Sequence, residues 1–425
     1  MSRVEAIDEG EELSNPHLST LVQHCVYFHQ REIIGLNSFV GIHLDESNTH
    51  PWIYLPHGFP DVQTLSEAEL RDAISTLLRV LSKDHRNHQY QEHKEQKDGI
   101  NSDFPFESYR HIIQDYQNLG YLKESERLES RHGSGRNDWR RTINRSPPLW
   151  SDQGAVHLFP IKVKTVRSHQ YLMEIQKYCL SVSLRNLGWL YGIQPKKGFQ
   201  TWSNVEITKA INAIQRRRHS VFSERLTELL NHLLIVLKFQ SNLSPSDVHR
   251  NIFGAVNSMN VVWENMVESV FGSGRHGNYE PIALWKLASG GSLAKKPLEL
   301  DSIRWDTNKL GNKICTVVDA KYYPPGSLPN TSDVNKQITY AEWVRKKDKI
   351  HDPDQLQNVF ILPASLRTRV AEYEGYATMS ILEDETKPYH RIHAIRVDTL
   401  TLMKWFLVKN SSHASDIVHL REGFV

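Results

Sequence analysis

Cysteine is scarce: Cys25, Cys179 and Cys315 are the only three in 425 residues. An odd number at that spacing builds no disulfide framework and offers no C-x-x-C metal pair, which suits a reducing cytosol. Long apolar runs are also missing. The longest, Leu233–Leu237, falls far short of the ~20 residues that cross a bilayer. The opening MSRVEAIDEGEELS has no apolar stretch of the kind a secretory leader carries, so a cytoplasmic protein with no membrane segment is expected. Neither sign of charge dominates, since the net charge is +2. Contact with nucleic acid must therefore come from local patches. No G-x-x-x-x-G-K-[ST] occurs, so the chain has no P-loop of its own. GSGRHG (272–277) has glycine spacing of the dinucleotide type but follows a helical pattern, where a strand is required, and reads as a helix end and loop. His85, His88 and His93 lie in a polar stretch without a cysteine and read as a solvated loop, not a zinc site.

What is present is α/β in character. SFVGIHL and PWIYLPHGF flank DESNTH as strand, turn, strand. Ser66 and Glu69 form a capping box ahead of Leu70, Ile74, Leu77, Leu78 and Leu81 at helical spacing. Residues 83–102 read as a loop and 105–122 as a helix. RHGSGRNDWRRTINRSPP lacks apolar periodicity. A strand pair is expected over 155–166, a helix over 170–191 and a longer helical region over 205–239. Ser244-Pro245 breaks the chain, which predicts an N-terminal region (1–245) and a second domain (246–425). The second half alternates: helix 256–271, strands near 281–287, 298–304 and 313–321, helix 333–346, strands 358–363, 377–381 and 389–396, then helix 397–408.

TVVDAKYYPPG (316–326) carries the chemistry. Along a strand Asp319 and Lys321 share one face and Ala320 takes the other. ICTVV before them is apolar and β-branched, so the aspartate ends a buried strand. A carboxylate beside an amine at a strand end can hold a hard cation next to a positioned ammonium, which suits phosphodiester hydrolysis. A lone Asp-x-Lys is otherwise an ordinary surface ion pair. Two further features strengthen the nuclease reading. Asp301, in KKPLELDSIRW, reaches the same place if its strand pairs with 313–321. Gln337 and Tyr340, one turn apart in DVNKQITYAEWV, face the same way.

The order Asp301, Asp319-x-Lys321, Gln337-x-x-Tyr340 resembles the PD-(D/E)xK nuclease superfamily. More closely, the chain resembles the LlaJI-type restriction endonucleases, which are similar to the McrC nuclease subunit of McrBC-like systems. VVDAKYY, DVNKQITYAEW and NVFILP look like that family's nuclease half, and GYLKESE, NDWRRTI, EIQKYCL and LGWLYG like its N-terminal half. The resemblance implies a C-terminal PD-(D/E)xK core, a mixed sheet flanked by helices, and an N-terminal α+β recognition or docking region. It implies Asp301, Asp319 and the Ala320 carbonyl as ligands of Mg²⁺ (or Mn²⁺), and Lys321 as the catalytic lysine. Glu264 would be the acidic residue of the opening helix, and Gln337 would orient the site. The chain departs from the pattern at Leu300, where the family has proline. Glu299 shares the Asp301 face and competes for its role; Ile303, in the motif's hydrophobic place, favours Asp301. The implied partners are double-stranded DNA and a separate AAA+ GTPase. The alternatives are a stand-alone site-specific endonuclease and an inactive docking module.

Two arginine clusters are candidates for DNA or partner contact. Arg216, Arg217 and Arg218 fall in a helical region, where at most two can follow one phosphate track. Arg136, Arg140 and Arg141 surround Trp139, which either stacks on a base or docks its loop on the core.

Overall fold

The computed structural model describes residues 26–29, 40–44, 52–89, 104–122, 125–130, 136–152, 154–167, 170–193, 201–219, 221, 223–242, 252–256, 259–273, 282–288, 290–294, 300–307, 311–380 and 387–420. Contacts divide the chain into two units, one made of Met1–Phe106 with Pro245–Val425 and the other of Glu107–Ser244. This differs from a single cut near residue 245, because the early strands and the first helix find their partners late in the sequence.

The first unit begins with β1 (Val26–His29), β2 (Val40–Leu44) and β3 (Trp52–Leu55). β2 and β3 pair antiparallel, as the two apolar runs predict. The far edge of β2 is taken by a strand from the second half of the sequence. Helix α1 (Glu67–Gln89) starts at the expected box, with Ser66 N–H donating to Glu69 Oε2 at 2.8 Å. It runs past residue 83 because the polar tail contains no glycine or proline to stop it. Its Lys83 Nζ bonds the Phe406 carbonyl at 2.5 Å and lies over the Phe406 ring.

The second unit contains α2 (Phe106–Leu119), β4 (Ser125–Ser130), β5 (Arg136–Asn137), α3 (Trp139–Arg145), β6 (Leu149–Ser151), β7 (Gly154–Val156), β8 (Lys162–Arg167), α4 (Gln170–Tyr191), α5 (Asn204–Arg218) and α6 (Glu224–Asn242). Two expectations are corrected here. The periodicity-free arginine segment contains a short helix, α3, capped by the Asp138 side chain on Arg141 N–H. The strands at 155–166 do not pair with each other, since β7 joins β6 in a hairpin and β8 joins β4 and β5. The helical region expected over 205–239 consists of two helices, α5 and α6. Leu229, Leu230, Leu233 and Leu237 of α6 are buried, as are Ile112 and Ile113 of α2 and Ile175 and Cys179 of α4. Asp115 on α2 receives two hydrogen bonds, 2.8 and 3.1 Å, from the Arg225 guanidinium on α6.

The first unit resumes with β9 (Ile252–Val256), which pairs antiparallel with β2. Then come α7 (Met259–Phe271), β10 (Leu284–Lys286), β11 (Ser292–Ala294), β12 (Ser302–Thr307), β13 (Lys313–Ala320), α8 (Thr331–Lys347), β14 (Leu356–Ala364), β15 (Ala371–Ala377), β16 (Ile392–Asp398), α9 (Thr399–Val408) and α10 (Ala414–Val418). A mixed sheet runs β12-β13-β14-β16-β15. β13, β14 and β16 are parallel, and the two edges are antiparallel. β14 reads LQNVFILPA and is buried nearly throughout, as a central strand covered on both faces must be. β15 alternates half-buried and exposed, as an edge strand does. α8 lays Val334, Ile338, Tyr340, Ala341 and Val344 on the sheet against Val317 and Phe360. α7 packs on β12 and β13, and α9 packs on α1 and α7.

The segment after β3 docks on this sheet. Gly58 has φ +70°, and a Cβ there would stand 2.7 Å from Ala364 N and closer still to Thr399 Oγ1. Only glycine fits such an approach. Thr399 Oγ1 donates to the His57 carbonyl at 3.2 Å. Among the described residues no helix is long and apolar enough to cross a membrane.

Candidate active site

β12 and β13 pair with Ser302 opposite Val318, which sets Asp301 at the mouth of the pair across from Asp319. Asp301 therefore precedes its strand by one residue. Its Oδ2 accepts the Ala320 backbone N–H at 2.9 Å. Asp319 is the next-to-last residue of β13, is 2% exposed, and places Oδ2 2.8 Å from Lys321 Nζ. The Lys321 backbone N–H donates to the Ile361 carbonyl at 3.0 Å, so the residue after β13 is still held to the central strand. Alternation thus puts Asp319 and Lys321 side by side, as the sequence spacing predicts.

The electrostatics show an excess of negative charge. Burial raises the Asp319 pKa to about 7, and the Asp301 charge pushes the same way against Lys321. The Asp301 pKa is raised as well, by burial first and then by the Glu264 carboxylate on α7. A buried and a part-buried carboxyl whose charges oppose each other resist joint ionisation unless a cation joins them. Burial works against the Lys321 charge, but Asp319, Asp301 and Asp333 outweigh it and raise the pKa.

Asp319 Oδ1 is buried and has no hydrogen-bond donor. A buried carboxylate oxygen without a donor, beside a second raised carboxyl, fits a hard divalent cation, which takes one or two carboxylates and keeps its waters. Glu264 is half-buried on α7, near enough to act on Asp301. It does not complete a compact three-ligand cluster with the two aspartates: the one such group among the described residues is His111, Glu228 and His232.

Gln337 is fully buried on α8, and its Nε2 donates to the Val317 carbonyl at 3.1 Å, two residues before Asp319. Its Oε1 is buried without a partner. Tyr340 is buried in the core between α8 and the sheet. Sequence reasoning missed Asp333. Its Oδ1 lies 3.4 Å from Lys321 Nζ, while its Oδ2 accepts from Tyr323 Oη at 2.9 Å and from Asn330 N–H. The available signal was N-x-x-D before the helix, a capping box whose acidic member also faces the lysine. Tyr322 accepts the His57 N–H at 2.7 Å, and its ring centroid lies 6.1 Å from that of Trp263. The rival ligand Glu299 and most of GSGRHG lie outside the described residues, as do Cys25 and His93.

The arginine clusters are both in the second unit. Arg216, Arg217 and Arg218 form the last turn of α5, where cations complement the helix dipole. Arg216 and Arg218 are exposed and Arg217 is half-buried. Arg136 and Arg140 are exposed, and Arg141 lies 3.7 Å from Asp138. Trp139 is 53% exposed, so it does not anchor its loop in the core. With Ile143, Pro148, Trp150, Ala155 and His157 it lines an open cleft.

The sheet thus gathers a buried carboxylate, a part-buried one and a lysine at the carboxyl end of β13. The model of the LlaJI restriction endonuclease family matches residues 51–401, and the chain belongs to that family. No curated protein is significantly similar to it. A solved structure, the refined half-complex from the tetradecameric assembly of Thermococcus gammatolerans McrB AAA+ hexamers with bound McrC, aligns over 87% of this chain and 81% of that one. The identity is 15% and the TM-score 0.31, too weak a likeness to define a fold.

Proposed function

We propose that the chain is the nuclease subunit of an McrBC-like, LlaJI-type restriction system, cutting foreign double-stranded DNA in the cytoplasm together with a separate AAA+ GTPase. The convergence of Asp301, Asp319 and Lys321 in a member of a restriction endonuclease family carries this reading. Asp301, Asp319 and the Ala320 carbonyl would hold Mg²⁺ or Mn²⁺, with Glu264 beside them. When bound, the ion supplies Lewis-acid polarisation of the scissile phosphate and a water of lowered pKa. Lys321 would orient an attacking water and offset the negative charge that develops on the phosphate. Asp333 holds Lys321 from the other side, and Gln337 fixes the backbone of β13 behind Asp319. The sheet of residues 246–425, with the docked segment 52–89, is the PD-(D/E)xK domain on this reading. Unit 107–244 supplies recognition or docking through Arg136, Trp139, Arg140 and Arg141 and through the α5 arginines.

The division of labour rests on sequence. The chain carries no P-loop and a net charge of only +2, while non-specific DNA affinity depends on neutralising phosphates. A plasmid-cleavage assay tests it. The purified chain with Mg²⁺ at low salt should cut poorly. Addition of the GTPase and GTP should switch cleavage on, and Lys321→Ala should remove it while GTP turnover continues. Efficient site-specific cutting by the chain alone would instead make it a stand-alone endonuclease.

A further inference from the structure

Unit 107–244 holds a group of side chains for which the nuclease reaction has no use. Glu228 and His232 are one turn apart on α6 and share a face. His111 faces them from α2. One donor atom from each of the three lies within 4.8 Å of the other two. His111 Nδ1 is 3.7 Å from Glu228 Oε1, and the two imidazole centroids are 4.2 Å apart. Bonds of ~2.0–2.1 Å at tetrahedral angles put neighbouring ligand atoms roughly 3.3 Å apart. The His111–Glu228 edge is close to that, and the other two edges are within 4.8 Å.

The surroundings favour ligation. His232 Nδ1 lies 3.0 Å from the hydroxyl of buried Ser108. In the tautomer that donates Nδ1–H to that oxygen, Nε2 is left with its lone pair, the arrangement usual behind a metal-bound histidine. Burial, with the His111 charge adding to it, lowers the His232 pKa to about 4, so this ring is neutral at physiological pH. The adjacent cation, Arg110, is engaged by Glu107 at 2.8 Å and Gln114 at 2.8 Å.

We infer that His111, Glu228 and His232 bind one divalent transition-metal ion of the Zn²⁺ type, which clamps α2 to α6. Two imidazoles and one carboxylate select Zn²⁺, Co²⁺ or Ni²⁺ over Mg²⁺. Glu228 is 57% exposed, which leaves a fourth position open to water. The site shares no residue with the nuclease carboxylates and stands or falls independently of them.

Calorimetric titration of the chelator-treated full-length chain with ZnCl₂, without Mg²⁺, tests the site. One tight equivalent is expected, together with a Zn²⁺-dependent rise in Tm. His111→Gln and His232→Gln should each weaken binding by on the order of a hundredfold and abolish the Tm rise. Glu228→Gln, at an exposed position that leaves the core intact, should weaken binding about tenfold and keeps the test alive if a histidine variant fails to fold. Asp319→Asn should leave Zn²⁺ binding unchanged. Zn²⁺ affinity unaltered in all three site variants would overturn the assignment, as would loss of the tight equivalent in Asp319→Asn alone.

Discussion

Asp301 Oδ2 accepts a 2.9 Å hydrogen bond from the backbone N–H of Ala320. The bond links the residue before β12 to the end of β13, so strand register places the Asp301 carboxylate and a free rotamer does not. Asp301→Asn keeps an acceptor for Ala320, whereas Asp301→Ala leaves that N–H without its partner.

Both Asp301 variants should therefore lose DNA cleavage by on the order of 10²-fold or more, the several kcal/mol that a correctly held metal contributes. Asp301→Ala should also lower the Tm further than Asp301→Asn. Glu299→Ala should retain most of the activity. Cleavage rates that rank the two positions in the reverse order would move the ligand to Glu299.

The raised pKa of Asp319 fixes the sign of a pH effect. The folded value, about 7, stands above the ordinary carboxylate value, so the folded protein binds the proton more tightly than the unfolded chain. Without divalent cations, stability should fall as pH rises from ~4 to about 7. Mg²⁺ or Mn²⁺ should restore it most at the upper end. Asp319→Asn should flatten this dependence, abolish cleavage and retain the fold. Denaturant titrations at several pH values, with and without the metal, read all of these effects. A wild-type curve that rises over the window would contradict the charge balance of the site.

Gly58→Ala tests the docking of the 56–60 turn. The new methyl meets Ala364 and Thr399 at a positive φ, so a loss of roughly 2–4 kcal/mol is expected. Tyr322→Phe removes the acceptor of the His57 N–H and should cost about 1–2 kcal/mol. Both losses are read from chemical unfolding midpoints.

The exposed Trp139 and Arg140 should separate stacking from charge. Arg140→Ala should weaken DNA binding by the assembled complex and lower the salt slope by about one phosphate contact. Trp139→Ala should cost on the order of 1–3 kcal/mol with little change in slope. Fluorescence anisotropy across a salt series measures both. Unchanged affinity in both variants would assign this cleft to protein contact instead.

Local features were legible in the sequence. The Ser66–Glu69 box, the alternation that joins Asp319 to Lys321 and the buried run of β14 follow from neighbours a few residues apart. Pairings across the chain were not. Nothing in VGIHL states that IFGAV will be its partner, and the proline at 245 suggests a boundary that the β2–β9 ladder crosses. Polar residues 84–89 read as loop because periodicity had ended, yet a helix without a breaker continues. α3 is seven residues long, too short to show a period, and only its Asp138 cap marks it. The His111 cluster was invisible for the same reason as the β2–β9 pair. Its members come from two distant helices, and only the one-turn spacing of Glu228 and His232 could be read in advance.

The discontinuity of the first unit has a consequence for biosynthesis. The ribosome delivers β2, β3 and α1 early but releases β9 and α9 only after all of 107–244 has emerged. At roughly 5–20 residues per second, the open edge of β2 and the apolar stripe of α1 go uncovered for on the order of ten seconds to a minute. An unpaired strand edge is a template for aggregation. Residues 107–244 have a core of their own and can close during that interval, so limited proteolysis of stalled nascent chains should find them protected before residues 40–89. Translation speed and holdase chaperones would then govern the yield of active protein as strongly as the stability of the finished sheet.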